Sequence, residues 1–146
     1  MAATDAESEL AEDPAMTSFI HDSMPFCAAL GVRAISHEPE ATTLAIDWDP
    51  QLCTIGGLLH GGVLMVLADS AGAACAFANL PAGATGTSTI ESKTNFLGAV
   101  RKCGVTATSW LLHAGGSTIV VETEVSNGDR LVAKTTQTQA VLHPRG

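Results

Sequence analysis

Between Asp49 and Glu91 the sequence carries one formally charged side chain, Asp69. It stands inside Gly62–Ala78, a run dominated by Val, Leu, Met, Ala, Cys and Phe that is long enough to form a buried helix. A carboxylate placed there loses water, which costs several kcal/mol unless something compensates. Its neighbours at helical spacing are Met65, Val66, Gly72 and Ala73, and none of them is a partner. Either a residue distant in sequence satisfies the acid, or the acid is there for chemistry. This one conflict limits the folds open to the chain. The helix has almost no polar face, so it must be covered on nearly all sides, yet the cover must still accommodate a carboxylate.

The residues ahead of the run sharpen the functional alternative. Gly56, Gly57, Gly61 and Gly62 bracket His60 where the helix should begin. Glycine lets a ligand approach the backbone closely. The first N–H groups of a helix have no internal partner and carry the positive end of its dipole. An oxygen gaining negative charge in a transition state would be stabilised there. Gly61 and Asp69 are eight residues apart, about 12 Å along a helix axis. One small reacting group cannot easily touch both. A two-fold dimer with antiparallel neighbouring helices resolves this, with Asp69 of one copy meeting His60 and Gly61 of the other. The small residues Gly72, Ala73 and Ala76 would let such helices, or a substrate, come close.

The rest of the chain supplies the cover. Residues 1–14 read as an acidic disordered tail, and residues 15–146 as one domain. Net charge is −8, of which Asp5, Glu7, Glu9, Glu12 and Asp13 contribute −5, leaving −3 elsewhere (−8 less −5). That argues against nucleic acid as a partner. Apolar positions from Ala15 to Leu30 suggest helical pieces interrupted near Pro25 and ended by Gly31. Strands are expected over Val32–Ser36 and Thr42–Trp48, joined by a turn at His37–Glu40. Four more are expected over Ser88–Leu97, Gly104–His113, Thr118–Ser126 and Leu131–Leu142, with Asn127-Gly128 as a hairpin signal. Two strands, a long helix and four strands fit an α+β antiparallel sheet wrapped around one central helix.

Leu59-His60-Gly61-Gly62 followed by Asp69 resembles the signature of the hot-dog-fold acyl-CoA thioesterases of the phenylacetate-pathway (PaaI-like) type. Thr89–Leu97 resembles that family's strand after the helix, and the likeness runs from about Pro25 to Leu142. It implies a hot-dog fold in which the segment before Gly31 caps an acyl pocket. It implies that Asp69 attacks a thioester carbonyl or activates water for that attack, the two roles being left open. Gly61 is then the oxyanion donor, and His60 orients the thioester or its loop. Two positions depart from the family. Thr54, six residues before His60, stands where many relatives have an Asn that holds the water or the carbonyl. Gly98-Ala99 follows Phe96-Leu97 where many relatives continue Arg-Pro. Thr89 falls where relatives often have a Ser or Thr near the acid, with Glu91 and Asn95 expected on its face. Arg101 and Lys102, with Lys93 on the preceding strand, are the bases that could meet coenzyme A phosphates. A mostly aliphatic lining of Leu58, Leu59, Val63, Met65 and Phe96 would accept a fatty chain or an aryl ring.

Other chemistries find little support. No Gly-x-Ser-x-Gly elbow, phosphate-binding loop or dinucleotide fingerprint is present. Cys27, Cys53, Cys75 and Cys103 have no metal-ligand spacing, so no metal and no cofactor beyond the substrate's own coenzyme A are expected. Free cysteines without a recognisable signal segment suggest the cytoplasm. Gly61–Leu80 is read as a core helix, with no membrane partner. The expectation is a homodimer, or a dimer of dimers, that hydrolyses an acyl-CoA to the acid and free coenzyme A. The alternatives are a hot-dog enoyl-CoA hydratase or dehydratase, and a non-catalytic acyl-CoA binder.

Overall fold

The long apolar run forms the helix it was expected to form, and the strands close around it. In the computed structural model, which describes residues 10–145, the elements are α1 (Pro14–Ser23), α2 (Pro25–Leu30), β1 (Arg33–His37), β2 (Thr42–Ile46), α3 (Gly61–Ala78), β3 (Gly86–Phe96), β4 (Val105–Ala114), β5 (Thr118–Asn127) and β6 (Arg130–Leu142). The six strands make one antiparallel sheet in the order β1-β2-β4-β5-β6-β3. This is the hot-dog arrangement. Although α3 is long and apolar enough to cross a bilayer, it packs against the strands, with half of it buried.

Alternation along the strands builds the core. Leu44 and Ile46 of β2, Val105 and Ala107 of β4, Val125 of β5 and Ala133 of β6 turn inward onto Leu64, Leu67, Ala68 and Ala71 of α3. A smaller cluster joins Cys75 and Ala76 of α3 to Ile119, Val121 and Val141. Ile20 of α1 and Cys27 of α2 close the remaining side. Asp13 caps α1, its carboxylate accepting from the Met16 N–H at 3.0 Å, and Pro14 opens the helix. Residues 1–9 of the expected acidic tail lie outside the described residues.

Three local readings change. The hairpin after β5 turns at Gly128 (φ +59°) and Asp129, not at Asn127. Asn127 remains paired with Arg130, and its side-chain amide donates to the carbonyls of Lys102 and Gly104. The close approach afforded by Gly72 is taken up from within the protomer: a Cβ there would lie 2.0 Å from Oε1 of Gln137 on β6. The third change is a bulge in β3. Thr89 pairs with Gln139 but Glu91 pairs with Thr138, so Ile90 is the extra residue. Thr89 therefore faces inward, while Glu91, Lys93 and Asn95 face outward beside Thr138, Thr136 and Lys134. The expected row of Thr89, Glu91 and Asn95 on one face does not exist. β3 is an edge strand exposed along most of its length, with Ile90 63% and Phe96 52% accessible.

Candidate active site

Asp69 sits on the flank of α3 that looks toward β3 and β6, half-buried and not sealed in the core. Its partner is distant in sequence. The Gln137 side-chain Nε2 donates to Asp69 Oδ1 at 2.7 Å and also lies 3.3 Å from the Asp69 carbonyl. The Thr89 hydroxyl donates to the same Oδ1 at 3.2 Å. Gln139 Nε2 in turn donates to Thr89 Oγ1 at 2.8 Å. Among the described residues every side-chain donor to the carboxylate reaches Oδ1 and none reaches Oδ2. The acid is thus held by one oxygen and free at the other.

Gln137 and Gln139 escaped the sequence reading because Thr135–Gln139 looks like an exposed polar strand. A signal was present: Ala133, Thr135, Gln137, Gln139 and Val141 share one parity, and the run begins and ends on core residues. Both glutamines are buried on the inner face.

A second group of residues lies at the start of α3. His60 is the N-cap, its backbone extended and its Nδ1 accepting from the Gly62 N–H at 2.8 Å. That bond requires an unprotonated Nδ1. The approach to the helix is pinned by two backbone bonds, Leu59 N–H to the Val100 carbonyl at 2.8 Å and His60 N–H to the Leu52 carbonyl at 2.9 Å. Since His60 caps Gly62, the Gly61 N–H is left as an available donor at the positive end of the dipole. The Phe96 ring from β3 lies against Gly61.

The two groups sit eight residues apart on one helix, about 12 Å by helical rise. Asp69, Thr89, Gln137 and Gln139 make one half-site; His60, Gly61 and Phe96 make another. Thr54 joins neither by a side-chain hydrogen bond among the described residues. It stands exposed on the loop before the helix, its N–H bonded to the Leu58 carbonyl at 2.7 Å. Leu59 belongs to the core and not to a pocket lining, whereas Met65 and Phe96 are exposed. Arg101 is exposed and follows Val100, the residue that anchors Leu59. Lys102 is exposed beside it, and Lys93 points to the outer face of the sheet, away from Asp69. Arg130 reaches back to donate to the Ala99 carbonyl, holding the Gly98-Ala99 segment.

Neither buried thiol is prepared for nucleophilic work. Burial pushes the Cys27 thiol up; the Ser70 hydroxyl it meets at 3.2 Å offsets this in part, and the nearby Asp69 charge pushes it up further. Burial raises Cys75 to about 11. Among the described residues no three His, Cys, Asp or Glu side chains gather where a metal ion could sit. A surface cavity of about 610 Å³ near the Arg33–Asp47 ion pair is bounded by Ile46, Val105 and Asn127 and includes none of the site residues.

Comparison with known proteins agrees with the fold. A family model described as the thioesterase superfamily matches residues 56–134, a span that includes both half-sites except Gln137 and Gln139. "Putative esterase PA1618" of Pseudomonas aeruginosa is 30% identical over 68% of this chain and 69% of its own length. The crystal structure of a mutant of thioesterase PA1618 superposes with a TM-score of 0.79 at 26% identity, covering 86% of this chain and 93% of that one. A thioesterase family protein from Silicibacter pomeroyi superposes with a TM-score of 0.80 at 25% identity, covering 88% and 96%.

Proposed function

The chain belongs to the thioesterase superfamily, and from that premise we propose that it hydrolyses an acyl-CoA to a carboxylic acid and free coenzyme A. The observation that carries the reading is the Asp69 carboxylate, fixed by donors on Oδ1 while Oδ2 stays open. In this reading Oδ2 takes a proton from water as the water oxygen adds to the thioester carbonyl, or itself attacks that carbon. The oxyanion forms against the Gly61 N–H. The C–S bond then breaks and the leaving sulfur takes the proton that came from water; where Oδ2 itself attacked, that water cleaves the acyl–Asp69 anhydride, releasing the acid and restoring the carboxylate. His60 keeps the start of the helix in shape around that donor. Arg101 and Lys102 stand on the loop beside it, where coenzyme A phosphates would meet them.

A second copy of the chain completes the site. The half-sites are too far apart on one helix for a single carbonyl to use both. The long β3 edge, with Ile90 and Phe96 exposed and Leu97 exposed just after it, is the kind of edge that natural proteins cover. Two copies related by a two-fold axis along this edge would set Asp69 of one near Gly61 of the other. The resulting unit is a homodimer, open to further pairing.

The test is free-thiol release from short, medium, long and aryl acyl-CoAs, with wild type beside Asp69→Asn. Turnover by wild type and its loss in a folded Asp69→Asn protein support the reading. Saturable binding by both proteins, with thiol release by neither, overturns it in favour of a binder. Mixed dimers of Asp69→Ala and Gly61→Trp chains should recover one working site. Failure of every mixture to recover activity overturns the shared-site geometry.

A further inference from the structure

We propose that Gln137 is a positioning residue for hydrolysis: its buried amide fixes the Asp69 carboxylate so that Oδ2 alone faces the substrate, and Gln139 supports the same arrangement through Thr89. The proposal rests on the reading of Asp69 as the reacting acid.

The argument begins with the cost of these side chains. Gln137 and Gln139 are fully buried on the inner face of β6, between Ala133 and Val141. Among the described residues, each leaves its Oε1 without a hydrogen-bond partner. A buried polar atom with no partner destabilises a fold, and an aliphatic residue of similar volume would avoid the penalty. The inner face elsewhere uses such residues, as at Val121 and Val125. What the two glutamines supply is donors. Gln139 donates to Thr89, Thr89 donates to Asp69, and Gln137 donates to Asp69 from the other side. The amide of Gln137 can point only one way. Reversed, it would set its oxygen 2.7 Å from a carboxylate oxygen with no hydrogen between them.

Gly72 supplies an independent observation. It lies in the middle of α3, where glycine weakens a helix relative to alanine. Alanines occupy positions 71, 73, 74 and 76 around it. A Cβ at 72 would stand 2.0 Å from Gln137 Oε1 and 2.8 Å from its Cδ. The helix therefore carries a glycine where the Gln137 amide needs room. Two unfavourable features, an unpaired buried amide oxygen and a mid-helix glycine, serve one result: a carboxylate held by Oδ1.

The experiment measures kcat, KM and thermal midpoint for wild type, Asp69→Asn, Gln137→Met, Gly72→Ala and the Asp69→Asn/Gln137→Met double variant. The full chain and the acyl-CoA that wild type turns over fastest are used throughout. Gln137→Met keeps the volume and removes the donor. The expected result is a kcat lower by roughly 10- to 100-fold, the effect of losing a hydrogen bond to a charged group, with KM little changed. Gly72→Ala should lower kcat in the same sense, because its methyl displaces the amide. In the Asp69→Asn background the Gln137→Met change should have no further effect, since Gln137 acts only through the acid. Three results overturn the proposal while leaving the role of Asp69 intact: wild-type kcat in folded Gln137→Met; an undiminished Gln137→Met effect in the Asp69→Asn background; or wild-type kcat in folded Gly72→Ala, which is decisive if Gln137→Met does not fold. Wild-type turnover by Asp69→Asn itself overturns the reading of the acid, and the proposal with it. The single Asp69→Asn variant thus separates the two failures.

Discussion

The ring of Phe96 lies against the first residue of α3 so closely that a Cβ on Gly61 would stand 3.1 Å from two of its carbons. A side chain at position 61 requires the Phe96 ring to give by a few tenths of an ångström. The same ring flanks the backbone N–H assigned to the oxyanion. Gly61→Ala is therefore expected to lower kcat/KM by about 100-fold, the scale of a lost oxyanion donor, because the methyl crowds the approach to the N–H. Adding Phe96→Leu relieves the crowding against the ring. Thermal melting and thiol release on both variants separate the effects: recovered stability without recovered rate marks the methyl itself as the obstacle.

Thr89 links the acid to the sheet, and its hydroxyl is the group that matters. Thr89→Val removes the donor to Asp69 Oδ1 and strands the buried Gln139 amide, which bonds to Thr89 and to no other side chain among the described residues. The expected cost is about 1–3 kcal/mol of stability, read by denaturant unfolding, together with a fall in kcat. Thr89→Ser keeps the hydroxyl and is expected to stay near wild type in both. Equal behaviour of the Val and Ser variants would show that the hydroxyl carries nothing.

His60 caps a helix whose first turn has no acidic side chain to assist it. His60→Ala is expected to cost about 1 kcal/mol, the usual effect of deleting an N-cap. Asn also caps well, so His60→Asn should restore the thermal midpoint. A kcat that stays low in a fully stable His60→Asn protein would assign the imidazole a part in orienting the thioester. A kcat that returns with stability would leave it a cap alone.

The thiol of Cys75 gives a pH dependence of known sign. Burial raises it to about 11 from the ordinary 9.0. Below pH 9 it is protonated in both folded and unfolded chains and contributes no slope. Between pH 9 and about 11 the unfolded chain releases the proton while the folded chain keeps it. The unfolded state then binds fewer protons, and stability falls as pH rises through that window. Unfolding free energy measured from pH 8 to 11 should show this loss, reduced in Cys75→Ala. A thiol reagent on the native protein should modify the exposed Cys103 quickly and spare Cys27 and Cys75.

Much of the fold was legible because it depends on periodicity. The apolar run over Gly62–Ala78 sets α3 to within one residue, since little else can be done with so long an uncharged stretch. Alternation sets the six strands to within a few residues at each end. Thr89 beside Asp69 was anticipated, and the structure joins them. Glu91 and Asn95 on the same face were not found there, because one extra residue at Ile90 inverts every side chain beyond it. A bulge depends on how two strands register with each other, and β3 read alone has no mark of it.

The conflict posed by Asp69 came from the sequence; its resolution came from the tertiary structure. A lone carboxylate in an apolar helix, behind a histidine and two glycines, determined that one helix would be both core and candidate site. Spacing along that helix sets its two polar ends about 12 Å apart. Which group would satisfy the acid was decided only when β6 closed beside α3. Gln137 is 68 residues from Asp69 in the chain, yet its amide nitrogen is 2.7 Å away. Hydrogen bonds act over a few ångströms of space and are indifferent to distance along the chain. Sequence periodicity therefore specifies each element's faces, while the sheet's register alone decides which of those faces meet.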